Sequence, residues 1–163
     1  MVTLAVTGHR DLTDRTAELV RAELRKLLTA RAAEGPLVGL SCLAAGADTI
    51  FAEELVDAGG DLVVVLPARD YRASRGDSAH APSFDRLVSA AVEVHELQYS
   101  EVSHEAYQAA NEVLLSRADV VVAVWDGRPP AGPGGTGELV RLSREAGVEV
   151  VRVWPDGAER TGG

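Results

Sequence analysis

Short apolar runs alternate along the chain with longer amphipathic segments. The short runs are typical of strands, whereas the longer segments repeat apolar residues at three- and four-residue spacing, as helices do. In the first long segment Val20, Leu24 and Leu28 recur in this way, with charged residues between them. The predicted strands are 2–6, 37–42, 61–66, 92–97, 119–125 and 149–154. The predicted helices are 13–33, 45–58, 82–91, 103–117 and 136–146, with an irregular polar segment at 68–79.

This alternation predicts the architecture of the whole chain. Strands separated by helices of ten or more residues form a parallel sheet that is covered on both faces. The runs 63–65 and 120–124 contain only apolar residues, as strands buried on both sides do. We therefore expect an α/β fold, a three-layer Rossmann-like sandwich with a mainly parallel six-stranded sheet. A single domain is predicted over 1–155, followed by a flexible tail at 156–163.

The composition limits the classes of partner. The chain has 163 residues, 46% of them hydrophobic and 4% aromatic, which predicts one domain with an aliphatic core. A net charge of -9 argues against general nucleic-acid binding, which depends on neutralising phosphates. The single cysteine, Cys42, rules out an intramolecular disulfide and fits a reducing, cytoplasmic location. No apolar stretch is long enough to predict a membrane span, and no metal-ligand spacing or cofactor motif is found.

Glycine-rich segments follow three of the predicted strands. Parallel sheets of this kind bind ligands beyond the carboxyl ends of their strands. The segments are Thr-Gly-His-Arg at 7–10, Ala-Ala-Gly-Ala-Asp at 44–48, and the run 126–137. Glycine lets backbone N–H groups approach a ligand, and the start of a helix favours an anion. One such turn is ordinary, but several at one edge of the sheet predict an anion site. Neither G-x-G-x-x-G after the first strand nor a P-loop motif is present.

The shared site sets the expected order of the strands. Loops 7–10 and 134–138 contact one ligand only if the strands beginning at Val2 and Asp119 are neighbours. The short strand 92–97 is half-exposed in its pattern and belongs at an edge. The predicted strand order is therefore 4-3-2-1-5-6.

Four segments, in order, carry a resemblance to a known family. They are 7–10, the run Ser-Cys-Leu-Ala-Ala-Gly-Ala-Asp at 41–48, Tyr-Gln-Ala-Ala-Asn at 107–111, and the glycine-rich run 118–140. Together they resemble the SLOG superfamily, the Rossmann-like group that includes the lonely-guy phosphoribohydrolases and DNA-processing protein A. The likeness is strongest to an uncharacterised bacterial branch with T-G-H-R and W-D-G…G-G-T motifs.

The resemblance implies a function as well as a fold. It implies a pocket for a nucleotide or a nucleotide-derived ligand at these loops, with the turn at 134–137 as the phosphate-binding loop. It also implies a homodimer or higher oligomer, to which the alanine-rich helix 103–117 is a candidate contributor.

Departures from the family pattern concern the catalytic positions. The phosphoribohydrolases carry P-G-G-x-G-T-x-x-E, but the run 133–141 has Glu138 at the threonine position and Arg141 at the glutamate position. Tyr107 and Asn111 replace the family's arginine–lysine motif on the preceding helix. These differences favour a nucleotide-binding sensor or regulatory module. A hydrolase that cleaves the N-glycosidic bond of a nucleoside monophosphate is the alternative.

Glu138 and Asp126 are the catalytic candidates for that alternative. Glu138 either acts as a displaced catalytic acid or is a first-turn glutamate that the helix dipole favours. Asp126 either contacts a ribose or base or caps the glycine-rich loop, since a carboxylate at the end of a buried strand needs a partner. The predicted ligand-binding residues are Gly8, His9, Arg10, Gly46, Asp48, Tyr107, Asn111, Asp126, Gly134, Gly135, Thr136 and Gly137.

Other members of this set also have two interpretations. His9 and Arg10 either hold a phosphate through charge-assisted hydrogen bonds or form an exposed turn. Asp48 either touches a ribose hydroxyl or stands in the first turn of its helix. Tyr107 and Asn111 lie on one helical face, where Tyr107 either stacks on a base or packs against the sheet.

Overall fold

Six parallel strands form one sheet in the computed structural model, which describes residues 1–75, 79–129 and 135–162. The strands are β1 (Val2–Gly8), β2 (Leu37–Ser41), β3 (Asp61–Leu66), β4 (Glu93–Glu96), β5 (Val120–Val124) and β6 (Glu149–Val153). The helices are α1 (Asp14–Glu34), α2 (Ala47–Asp57), α3 (Tyr71–Arg75), α4 (Ala81–Ala90), α5 (His104–Arg117) and α6 (Thr136–Glu145). The predicted Rossmann-like sandwich is confirmed.

The strand order is β4-β3-β2-β1-β5-β6, as predicted. β1 is central and pairs with β5 through Thr7 opposite Ala123 and Gly8 opposite Val124. β4 lies at the edge of the sheet, and all four of its residues are exposed. The loops that follow β1 and β5 therefore leave the sheet side by side.

Each face of the sheet has its own apolar core. On one face, buried residues of α1, α2 and α4, such as Leu24, Phe51 and Phe84, pack on the sheet. On the other face, Ala110 and Leu114 of α5 lie in the second cluster. The buried part of α5 is thus its sheet-facing side. In the described ranges, no helix is both long and apolar enough to cross a membrane.

Helix starts differ in how they are capped. The Thr13 side chain accepts from the Thr16 N–H at the start of α1, and the Ser103 side chain accepts from the Ala106 N–H at the start of α5. α2 and α6 begin after Gly46 and Gly135, neither of which supplies a side-chain cap. The Ala47 N–H at the start of α2 donates instead to the His9 carbonyl oxygen at 3.2 Å.

α3 corrects one prediction from the sequence. Segment 68–79 is predicted to be irregular, yet Tyr71–Arg75 forms a short helix within it. Tyr71 is buried, and its ring lies 6.3 Å from that of Phe84 and 6.4 Å from that of Tyr107. Packing around one aromatic side chain stabilises a helical turn that is too short to have a periodic pattern.

The carboxyl-terminal segment, for which the sequence predicts a flexible tail, contacts the loop after β1. Described residues up to 162 fold back onto the loop after β1. The Thr13 N–H donates to the Glu159 carbonyl at 3.3 Å, and the Thr161 N–H donates to the Asp11 carbonyl at 2.7 Å. Arg160 Nε lies 2.9 Å from Asp11 Oδ1. These bonds bring Arg160 to the carboxyl edge of the sheet.

Candidate functional site

A cleft of about 290 Å³ opens at the carboxyl ends of the strands, bordered by the loop after β1 and by the starts of α2, α5 and α6. Its lining residues are Val6, Thr7, Gly8, Arg10, Cys42, Ala44, Asp48, Tyr71, His104, Tyr107, Asn111, Leu114, Gly135 and Thr136. Seven residues of the predicted set are thereby brought together: Gly8, Arg10, Asp48, Tyr107, Asn111, Gly135 and Thr136.

The start of α6 forms one wall of the cleft. Thr7 Oγ1 lies 3.1 Å from Thr136 Oγ1, which joins the end of β1 to the first residue of α6. Gly135 precedes the helix without a side-chain cap, and a Cβ at Gly135 would meet no atom of the described residues within 4 Å. Backbone N–H groups at a helix start carry partial positive charge. This wall is therefore suited to an anion that approaches the backbone closely.

Gly8 and Gly46 are required by close packing between loops, not by contact with a ligand. A Cβ at Gly8 would lie 2.4 Å from Ala47 Cβ and 2.9 Å from the Val124 carbonyl oxygen. Gly46 has φ 81°, and a Cβ there would lie 2.7 Å from the His9 carbonyl oxygen. Both glycines allow the loops after β1 and β2 to meet at van der Waals distance. Although Gly8 lines the cleft, its packing against Ala47 and Val124 is enough to require a glycine at this position.

His9 connects the loops after β1 and β5. The backbone N–H of Asp126 donates to His9 Nε2 at 3.1 Å, and the imidazole meets the Trp154 ring edge-on at 5.6 Å. Burial and the charge of Arg160 lower the pKa of His9 below its ordinary value. Asp126 Oδ1, 3.4 Å from Nε2, opposes this shift, but a nitrogen that accepts an N–H carries no proton. His9 is therefore neutral and lies outside the cleft lining.

Asp126 stabilises the start of the glycine-rich loop. Its Oδ1 accepts from the Arg128 N–H at 3.0 Å, and its Oδ2 lies 3.7 Å from Arg160 Nη1. Partial burial works against the charge, but the Arg128 N–H and the charge of Arg160 hold the pKa of Asp126 below its ordinary value. Asp126 is not part of the cleft lining, and its contacts fit the loop-capping interpretation.

Asp48 is the buried carboxyl group of the cleft. Its Oδ2 accepts from the Ala44 N–H at 3.3 Å, and the residue is 8% exposed. Burial raises the pKa of Asp48 to about 7, although the Ala44 N–H and the charge of Arg10 act in the opposite direction. Near neutral pH this group can accept a hydrogen bond as a carboxylate or donate one as an acid.

Aromatic and amide side chains of α5 form another wall of the cleft. Tyr107 and Asn111 lie one turn apart on α5, and both line the cleft. The Tyr107 ring stands at 74° to the Tyr71 ring. Tyr107 is partly buried, so it packs against Tyr71 and still borders the cleft. Burial raises the pKa of the Cys42 thiol well above its ordinary value, so Cys42 lines the cleft as a neutral group.

The remaining predicted residues lie elsewhere. Glu138 is outside the cleft lining, and its Oε1 lies 3.7 Å from Arg141 Nη2 on the next turn of α6. Gly137 lines a separate cavity with Trp125 and Arg144. Gly134 falls outside the described residues.

Sequence reasoning missed several residues of the cleft and its rim. Tyr71 lies in a segment without periodicity. Aromatic residues are only 4% of the chain, and this scarcity was the one signal that could have marked Tyr71. Arg160 stands near the end of the chain, where no pattern marks it. Within the described ranges, no group of His, Cys, Asp and Glu is arranged to hold a metal ion.

Comparison with known proteins shows similarity to solved structures of the same fold. No family model matches the chain, and no curated protein matches it. Among solved structures, DNA processing protein A from Streptococcus pneumoniae superposes with a TM-score of 0.69 at 19% identity, covering 96% of this chain and 52% of that one. The chain therefore spans about half the length of that protein.

Two further structures have the same arrangement. DNA processing protein A from Helicobacter pylori, described with a single-stranded DNA binding mode, gives a TM-score of 0.67 at 16% identity, covering 99% of this chain and 69% of that one. The molybdenum cofactor binding protein from Rippkaea orientalis gives a TM-score of 0.62 at 16% identity, covering 95% of this chain and 77% of that one. The chain thus shares the Rossmann-like fold of these proteins.

Proposed function

We propose that the chain binds a nucleotide or a nucleotide-derived ligand in the cleft and acts as a sensor or regulatory module. The observation that carries this proposal is the α6 wall, where the uncapped helix start and the open space at Gly135 lie beside Arg10. Helix N–H groups and a guanidinium together are suited to a phosphate. The strand-end position of the cleft is the usual ligand site in this class of fold.

The α5 wall supports a ligand that has a base as well as a phosphate. Tyr107 offers an aromatic surface, and Asn111 offers both a donor and an acceptor. Asp48, at the buried side, adds a group that accepts or donates according to its protonation. A phosphate alone would use none of these groups.

The alternative, hydrolysis of an N-glycosidic bond, needs a carboxylate near the anomeric carbon. Glu138 and Asp126 lie outside the cleft lining and are engaged with arginines or backbone. Asp48 lines the cleft and is the candidate that this alternative would require. Binding without turnover is therefore the better-supported proposal.

The homodimer and the expectation that nucleic acid is not the partner remain predictions. A homodimer is implied only by the family resemblance. On α5, the helix that is the candidate contributor to a dimer, Ala109 and Val113 are already partly buried in the single chain. The Helicobacter protein binds single-stranded DNA, so an oligonucleotide belongs in any ligand screen. The net charge of -9 favours the small nucleotide.

A thermal-shift screen tests the proposed function. The ligands are nucleoside mono-, di- and triphosphates, NAD, ADP-ribose and a ten-residue oligodeoxythymidylate. A ligand at about 100 times its Kd adds roughly 2.7 kcal/mol of stability, which raises Tm by about 5–10 °C in a domain of this size. At least one nucleotide is expected to give this shift.

Chromatography of the same mixtures separates binding from turnover. Intact nucleotide after prolonged incubation is the expected result. Release of free base that Asp48→Asn abolishes would replace the sensor proposal with the hydrolase, and a screen in which no nucleotide shifts Tm would contradict both.

A further inference from the structure

A second cavity of about 500 Å³ adjoins the cleft on the other side of Arg10. We call it the rim cavity; its lining is Gly8, His9, Arg10, Asp11, Gly135, Thr136 and Arg160. Gly8, Arg10, Gly135 and Thr136 line both spaces. A phosphate at the start of α6 would therefore have room on two sides, towards Tyr107 in the cleft and towards Arg160 in the rim cavity.

Arg160 is held in place through one edge of its guanidinium group. Its Nε lies 2.9 Å and 3.1 Å from the two carboxylate oxygens of Asp11. Its Nη1 is 3.7 Å from Asp126 Oδ2, too far for a hydrogen bond. Within the described part of the chain, neither Nη nitrogen donates a hydrogen bond, and the side chain is 39% exposed. The fork of the guanidinium thus keeps donors for a phosphate.

The charges around the rim cavity leave a positive excess. Arg10, Arg128 and Arg160 stand near Asp11 and Asp126 in this part of the molecule. Partial burial works against the charge of Asp11, but the hydrogen bond from Arg160 holds its pKa below the ordinary value, so Asp11 is ionised. His9 is neutral, as described above. The lining itself thus carries two arginines, Arg10 and Arg160, and one carboxylate, Asp11, in a chain whose net charge is -9.

The carboxyl-terminal segment fixes Arg160 at this position. The Thr161 N–H bonds to the Asp11 carbonyl, and the Glu159 N–H bonds to Thr16 Oγ1 at 2.6 Å. Arg160 is therefore anchored by backbone bonds on both sides, and its side chain needs little ordering to bind an anion.

We propose that Arg160 forms a second anion subsite, so that the chain prefers a nucleoside diphosphate to the corresponding monophosphate. The inference rests on the proposed function, because the first phosphate is placed at the start of α6. The second phosphate then lies in the rim cavity between Arg10 and Arg160, and Asp11 acts as the positioning residue for the guanidinium.

Calorimetry with AMP, ADP, GMP and GDP tests this subsite. The wild-type chain is expected to bind at least one diphosphate about 10-fold or more tightly than its monophosphate. Arg160→Ala is expected to remove that preference, lowering diphosphate affinity about 10- to 100-fold and changing monophosphate affinity less than about 2-fold. Arg160→Lys should keep part of the preference, since the charge remains and the fork is lost.

Arg144→Ala is the charge-matched control, because Arg144 is exposed in the last turn of α6, away from both spaces. Its affinities should equal those of the wild type. Two results would overturn the subsite and leave the proposed function standing. One is monophosphate binding by the wild type without a preference for the diphosphate. The other is an equal loss of monophosphate and diphosphate affinity in Arg160→Ala. Absence of binding by all four nucleotides would overturn the subsite and count against the proposed function.

Discussion

Gly8→Ala is expected to destabilise the fold by about 3 kcal/mol or more, at or beyond the upper end of what overpacking costs. The added Cβ would lie 2.4 Å from Ala47 Cβ and 2.9 Å from the Val124 carbonyl oxygen. Neither neighbour is the flexible end of a long side chain. β1, β5 and the start of α2 would all have to shift to accept one methyl group.

Gly135→Ala is the matched control for this prediction. Among the described residues, a Cβ at Gly135 would meet nothing within 4 Å, and its φ of -90° suits any residue. The expected cost is below about 1 kcal/mol, which reflects only the weaker helix-starting preference of alanine. Urea unfolding followed by circular dichroism measures both variants. Equal stability of the two would mean that the loops after β1 and β2 do not meet at Gly8 as described.

Asp48→Asn is expected to change the dependence of stability on pH. The pKa of Asp48 is about 7 in the folded chain, against an ordinary value of 3.8. Between these two values the folded state holds a proton that the unfolded state has lost. The wild type therefore loses stability as pH rises through that window, and the loss is complete above about pH 7.

Asparagine carries no charge and removes this effect. The stability of Asp48→Asn relative to wild type should rise by on the order of 2–4 kcal/mol between pH 4 and pH 8. Groups that titrate in both proteins, such as His9, cancel in the difference. Urea unfolding at several pH values measures it, with exposed Asp61→Asn as the control. A difference that is constant with pH would show that Asp48 is ionised at little cost.

The fold could be predicted from the sequence because it depends on features that repeat. Apolar periodicity gives the strands and helices, and alternation of the two gives a parallel sheet. The adjacency of β1 and β5 followed from a chemical condition, namely that two glycine-rich loops share one ligand. α3 was missed because it depends on the burial of Tyr71, which no local pattern reveals.

The site could be predicted only in part, for a physical reason. Sequence indicates which residues leave the strand ends, but not the direction of each side chain. Arg10 and Thr136 line the cleft, whereas His9, directly beside Arg10, turns to accept a backbone N–H from Asp126. Arg160 reaches the site through contacts with Asp11, which is 149 residues away along the chain.

Calorimetric titration of AMP and GMP into the wild type, Arg10→Ala and Gly135→Phe tests the proposed phosphate position most directly. Circular dichroism first confirms that each variant is folded, as expected for residues at the rim of the sheet. Loss of one charge-assisted contact, about 1.5–3 kcal/mol, predicts roughly 10- to 150-fold weaker binding in Arg10→Ala. Gly135→Phe should block the approach to α6, and Arg144→Ala should bind like the wild type. Unchanged affinity in both the Arg10 and the Gly135 variants would contradict a phosphate site at the start of α6.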